Sequence, residues 1–179
     1  MSGFANIIVA AVLATQAPPA FRKDYATLEI TKNNTLAQTQ AKIAGGAGTY
    51  YLGFRHSLSD AWLMGIGVHF KDFVNQADGT GLAFFTITHE AYHLIRLYHP
   101  TYLMVGPKIL YMLPTQNAGY PLKREPDRSA EIGVAFSIGL LRQVTPRMFV
   151  SMRVDRWRGT KTNHYHGTEV AAGMTYSLR

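Results

Sequence analysis

The residues best equipped for chemistry in this chain lie in one run, His89-Glu90-Ala91-Tyr92-His93-Leu94-Ile95-Arg96-Leu97-Tyr98-His99. Two histidines four apart share one face of a helix and can hold zinc. Glu90 would then act as general base on a metal-bound water, and His99 would supply the third ligand. The arrangement needs a helix, and the flanking residues alternate in character with period two. On a strand rising 3.4 Å per residue, His89 and His93 stand about 13 Å apart and Glu90 points to the opposite side. The zinc hydrolase therefore stands as an alternative reading that the backbone of this one segment decides.

The third histidine falls at the spacing of the metzincin proteases, and Met174-x-Tyr176 is similar to their Met-turn. That pattern has Gly where this chain has Arg96, and the Gly permits the turn that returns the third histidine to the metal. His164-x-His166 offers two ligands and no obvious third, which suits a solvated loop better than a metal site. His56 and Ser57 cannot form a nucleophile–base pair on a strand, because neighbours point to opposite faces. Lipid-modifying hydrolases on eight-stranded barrels carry their catalytic groups on the lipid face. His89 and His93 would be outward, so such an enzyme is a second alternative, although no serine can be placed beside either.

The elements that must position these residues are strands. In Trp62-Leu63-Met64-Gly65-Ile66-Gly67-Val68-His69-Phe70-Lys71, one face carries Trp62, Met64, Ile66, Val68 and Phe70, and the other Leu63, Gly65, Gly67, His69 and Lys71. One face suits hydrocarbon and the other a polar interior, the signature of a strand between two different surroundings. The same alternation predicts strands over 25–31, 49–58, 62–73, 82–98, 101–113, 131–143, 148–158 and 168–179. Pro107 falls inside one of them and, lacking a donor, predicts a bulge. Short turns at 59–61, 99–100 and 144–147 alternate with long loops at 32–48, 74–81, 114–130 and 159–167. Short turns at one end and long loops at the other are the asymmetry of barrels that span an outer membrane, with the short turns periplasmic. Trp62, Tyr98, Tyr102 and Tyr176 beside the short turns are expected to form part of the periplasmic aromatic girdle.

Composition agrees. With 179 residues and 47% hydrophobic residues, at a mean hydropathy of -0.05, the chain is one domain and too polar for a helical membrane protein. Residues 1–17 read as a secretory leader: an apolar run from Phe4 to Ala14, too short to span a bilayer, is followed by Thr15-Gln16-Ala17 with small residues at the cleavage positions. Residues 18–179 are then the barrel. There is no cysteine, hence no disulfide or thiolate metal site, and no cofactor is expected. The net charge of +7 is dispersed over strands and loops rather than gathered on one helix or stripe, which argues against nucleic acid.

The pattern over residues 24–179 resembles the small eight-stranded outer-membrane barrels of the OmpA transmembrane-domain and OmpX type. The resemblance implies an all-β, eight-stranded antiparallel transmembrane up-and-down β-barrel in the outer membrane of a Gram-negative-type bacterium. It also implies insertion by the barrel-assembly machinery. Such barrels usually end in an aromatic residue that this machinery reads, whereas this chain ends Tyr176-Ser177-Leu178-Arg179.

An interior of eight strands is just wide enough to be filled by side chains. By parity it holds Glu29, Arg55, His69, Lys71, Glu90, Arg96, Lys108, Glu131, Arg153, Asp155 and Glu169. Buried charge is tolerated only when paired and hydrogen-bonded, so Glu29, Arg55, Glu90, Lys108 and Arg153 are expected to form a salt-bridge network that plugs the lumen. The expected role is structural or interactive rather than catalytic. The surface loops carry Lys32, Lys42, Lys123, Arg124, Arg128, Arg156, Arg158 and Lys161 against fewer acids, and these basic residues are expected to pair with the phosphates of lipopolysaccharide.

Overall fold

A computed structural model describes residues 23–38, 41–45, 49–75, 81–115, 130–160 and 166–178. The strands are β1 (Asp24–Gln38), β2 (Ala41–Gly45), β3 (Thr49–Ser59), β4 (Trp62–Asn75), β5 (Gly81–Tyr98), β6 (Thr101–Thr115), β7 (Glu131–Thr145), β8 (Met148–Gly159) and β9 (His166–Ser177). All pairings are antiparallel: β1 pairs with β3, β3 to β9 pair in chain order, and β1 also pairs with β9 from Tyr25↔Ser177 to Leu36↔Gly167, which closes the sheet. A closed sheet has no edge and leaves every ladder group with a neighbour, the condition for strands in hydrocarbon. No helix among the described residues is long and apolar enough to cross a membrane; the strands cross it.

Nine segments make eight staves. β2 pairs with the outer part of β1 (Thr35↔Ala44) and of β4 (Ile43↔Asn75), while β3 pairs with the inner parts of the same two strands. β2 and β3 therefore occupy one position in the wall. This corrects the loop expected over 32–48: the backbone runs on as strand to Gln38 and returns at Ala41. Polar side chains hid the continuation, since a strand that rises clear of the apolar layer no longer needs an apolar face. The proposed leader, residues 1–17, lies outside the described residues.

The alternation read from the sequence sorts side chains between lipid and lumen. On β7 and β8 buried and exposed residues strictly alternate over most of the strand. Between Arg142 at one end and Arg156 and Arg158 at the other, the outward set is apolar and exposed, with Phe136 at 55% and Ile138 at 50%. So continuous an apolar exterior is untenable in water and natural in a bilayer. Trp62, Tyr98 and Tyr176 are outward beside the short turns, but Tyr102 is fully buried inside. It shares parity with Lys108, so the girdle assignment fails for it.

The short turns are closed by local side chains. Thr145 Oγ1 accepts from the backbone N–H groups of Arg147 (3.3 Å) and Met148 (3.0 Å), and Ser59 Oγ accepts from the N–H of Ala61 at 3.3 Å. The bulge expected at Pro107 is absent. The β5–β6 register passes from Glu90↔Lys108 to His93↔Val105 with two residues on each side and no slip, and Pro107 keeps its place opposite Phe136 of β7. The two backbones approach closely there. A Cβ on Gly106 would collide with the Ala91 carbonyl, so glycine beside the proline absorbs what a bulge would otherwise absorb.

Candidate functional site

The lumen contains three layers. Toward the short-turn end Tyr25, Leu63, Tyr92, Leu94, Tyr102, Met104, Leu141 and Phe149 form one apolar cluster; toward the long-loop end Phe84, Leu110, Met112, Ala135 and Trp157 form another. Between them lies a layer of ionised side chains that are almost wholly inaccessible to solvent.

That layer is a closed ring of alternating charge. Glu29 Oε1 accepts from Arg55 Nη2 at 3.0 Å, and Arg55 Nε donates to Glu90 Oε1 at 2.5 Å. Glu90 Oε2 lies 3.6 Å from Lys108 Nζ, which donates to Asp155 Oδ2 at 2.7 Å. Asp155 pairs with Arg153, and Arg153 returns to Glu29 through Nε (2.9 Å) and Nη2 (2.7 Å). Three carboxylates and three cations thus cancel within the ring. Tyr92 donates its hydroxyl to Glu90 Oε2 at 2.9 Å and offers its ring to Arg55 and Lys108, whose charged groups lie 5.4 and 5.6 Å from its centroid. Ser151, Ser137 and Thr175 add hydroxyl contacts to Glu29, Asp155 and Arg55. Glu169 lies 3.6 Å from Arg153 Nη1 and 3.6 Å from His69 Nε2, extending the ring toward β4. Full pairing with supporting hydroxyls is what makes burial of these charges tolerable.

Glycines on the inner face make room for the ring. Arg55 and Glu90 lie on β3 and β5 and meet across β4, where the residue between them in register is Gly65. A Cβ there would lie 2.9 Å from Arg55 Cγ and from Glu90 Oε1. Gly139 lies beside Arg153 and Gly173 beside Glu29 in the same way. Gly53 and Gly67 make space for the ring of Tyr51, over which Arg153 sits at 5.5 Å. Small and large residues alternate around the wall, as the narrow interior of a small barrel demands.

The five residues expected to meet, Glu29, Arg55, Glu90, Lys108 and Arg153, all belong to this ring. Asp155 is the member the expectation left out, and without it Lys108 and Arg153 would not be joined. Its inward parity was legible; its distance from Lys108, two strands away, depends on register. The side chain of Lys71 lies outside the described residues.

The histidine motif is taken apart by the strand. His89 and His93 face outward on β5 and Glu90 faces inward into the ring, so the three cannot share a zinc ion, and the metalloprotease alternative is overturned. His99 sits in the turn before Thr101. Among the described residues no cluster of three or more metal-ligating side chains occurs. The cross-strand neighbours of His89 are Ile66 and Ile109, and those of His93 are Trp62 and Val105. None supplies a hydroxyl or carboxylate, so the lipid-hydrolase alternative gains no nucleophile from them.

Arg156 and Arg158 are on β8 rather than in a loop, and both are exposed on the outer wall. Arg156 Nη1 donates to Thr168 Oγ1 at 3.0 Å, and Arg158 stands opposite His166. Lys123, Arg124 and Lys161 lie outside the described residues.

No protein-family profile matches the chain, and no curated protein does. Solved structures do. Neisserial surface protein A is similar over 87% of this chain and 97% of its own, at 13% identity and a TM-score of 0.66. The outer membrane protein OprG from Pseudomonas aeruginosa matches over 88% and 96%, at 11% identity and a TM-score of 0.57. Ail, the attachment invasion locus protein of Yersinia pestis, in complex with the heparin analogue sucrose octasulfate, matches over 86% and 98%, at 12% identity and a TM-score of 0.53. At such identities the likeness is one of fold, and it agrees with the closed eight-stave wall, its apolar exterior and its turn asymmetry. The chain has the fold of the small eight-stranded outer-membrane β-barrels.

Proposed function

We propose that the protein is a non-conducting outer-membrane barrel that works through its outer wall and external rim, in a structural or surface-interaction role, and not as a pore. The observation that carries this reading is the closed ion ring of Glu29, Arg55, Glu90, Lys108, Asp155 and Arg153, held between two apolar clusters. An ion entering the lumen would have to displace paired charges and then cross buried side chains at both ends, with no hydrated path to follow. Ail, similar in fold, is solved in complex with the heparin analogue sucrose octasulfate, which supports an interaction role for a barrel of this kind.

The test is conductance of the purified protein in a planar bilayer. The expected record is a flat baseline under applied voltage. A variant that deletes ring members on opposite walls, Glu29→Ala with Lys108→Ala, should show intermittent steps if it still folds. Regular, saturable single-channel steps from the unaltered protein would overturn the reading.

A further inference from the structure

On the outer wall toward the long-loop end, a groove of about 650 Å³ runs over β7 and β8, lined by Val134, Phe136, Arg156, Arg158 and His166. Arg156 and Arg158 point the same way two residues apart, which separates their Cα atoms by about 7 Å along the strand. Thr168 holds Arg156 from the side, and His166 stands opposite Arg158 on β9. Two strands over, Lys32 is outward and exposed, in register with Val170. Among the described residues, the carboxylates on β8 and β9, Asp155 and Glu169, are buried on the inner face. Among the described residues no carboxylate is ion-paired with Arg156. One step toward the membrane centre the outward residues become apolar, with Val154 on β8 and Val170 on β9, beside Phe136 and Ile138 of β7.

We infer that this groove is a binding site for a phosphorylated lipid of the outer leaflet, with the phosphate held by Arg156 and Arg158 and an acyl chain laid against Phe136 and Val154. The inference rests on the outer-membrane reading and names the partner of its outer wall. Guanidinium groups bind phosphate by paired, charge-assisted hydrogen bonds, and two of them at this spacing suit a headgroup with more than one anionic oxygen cluster. Their height fits. Long loops mark the external end, so the arginines sit at the external boundary of the apolar band, where lipopolysaccharide presents the phosphates of its lipid A. A cation here costs little and gains an anionic partner, whereas the same side chain at mid-depth would be expensive.

The test uses the folded full-length barrel in neutral detergent, with native mass spectrometry reading retained lipid. The probes are bis-phosphorylated lipid A, its dephosphorylated form, phosphatidylglycerol and inorganic phosphate. The unaltered protein should retain bis-phosphorylated lipid A at least about tenfold better than the dephosphorylated form, and R156Q/R158Q should lose that preference. R142Q, which removes an exposed arginine near the opposite end of β7, should keep it. Equal retention by R156Q/R158Q would overturn the site. Equal retention of phosphatidylglycerol would overturn the assignment to lipid A, and displacement by inorganic phosphate at the lipid's own concentration would remove the acyl contribution. Heat-dependent gel mobility confirms folding of each variant, and R156Q alone or Thr168→Val serves if the double variant does not fold. Flat bilayer conductance should be unaffected in all of them, so failure of the site and failure of the non-conducting barrel remain distinguishable.

Discussion

Arg153 and Arg156 lie three residues apart on one strand and face opposite worlds. Arg153 is 2% exposed and ion-paired with Glu29 and Asp155. Arg156 is exposed, bonded to a threonine hydroxyl, and stands on a strand whose one carboxylate, Asp155, is buried inside. Inside the barrel the chain supplies its own counter-ions, because nothing else can enter to do so. On the wall it leaves the charge for the surroundings to balance. Charge is therefore paired within the chain on one face of β8 and, in the proposed lipid site, turned to a headgroup on the other.

The sharpest way to break that contrast is to remove a carboxylate from the ring. Glu29 holds both Arg55 and Arg153, so Glu29→Ala should cost about 3–5 kcal/mol, read as a fall in unfolding free energy in urea with the barrel in lipid vesicles, because two buried cations each lose one of their carboxylate partners. Gly65→Ala leaves every charge in place and crowds Arg55 and Glu90 instead. A cost of about 1–3 kcal/mol is expected in the same titration. His89→Leu should act in the opposite direction. It removes a polar side chain from the lipid face between Ile66 and Ile109, and a gain of roughly 1 kcal/mol is expected. Arg156→Gln should leave the unfolding free energy within about 0.5 kcal/mol, its consequence being confined to lipid retention.

Much of this was legible in the sequence for one reason: a barrel wall separates two solvents, and a period of two records which side each residue faces. Parity alone puts Glu29, Arg55, Glu90, Lys108 and Arg153 inside, and it dismantles the His89-Glu90-x-x-His93 motif by sending Glu90 the other way. Parity says nothing of height. Asp155 enters the ring because the register of β7 with β6 and β8 leaves it two residues from the position in line with Lys108, within reach of that side chain, and register is set by turns and bulges that the alternation does not contain. Tyr102 lies beside a turn, yet its parity with Lys108 sends it inside, so parity and not proximity to the turn decides its side. The run of β1 to Gln38 is not legible from alternation, because Asn33-Asn34-Thr35 interrupts the period of two that residues 25–31 carry. At Pro107 the rule that proline breaks a ladder was right, but the remedy was the neighbouring Gly106 and not an extra residue.

The most direct test of the account compares R153Q with R156Q, the same change three residues apart on β8. Urea unfolding in lipid vesicles should show R153Q destabilised by about 3 kcal/mol or more, with R156Q within about 0.5 kcal/mol of the unaltered barrel. Equal effects of the two substitutions would contradict the division of β8 into a face that holds the barrel shut and a face that meets the membrane.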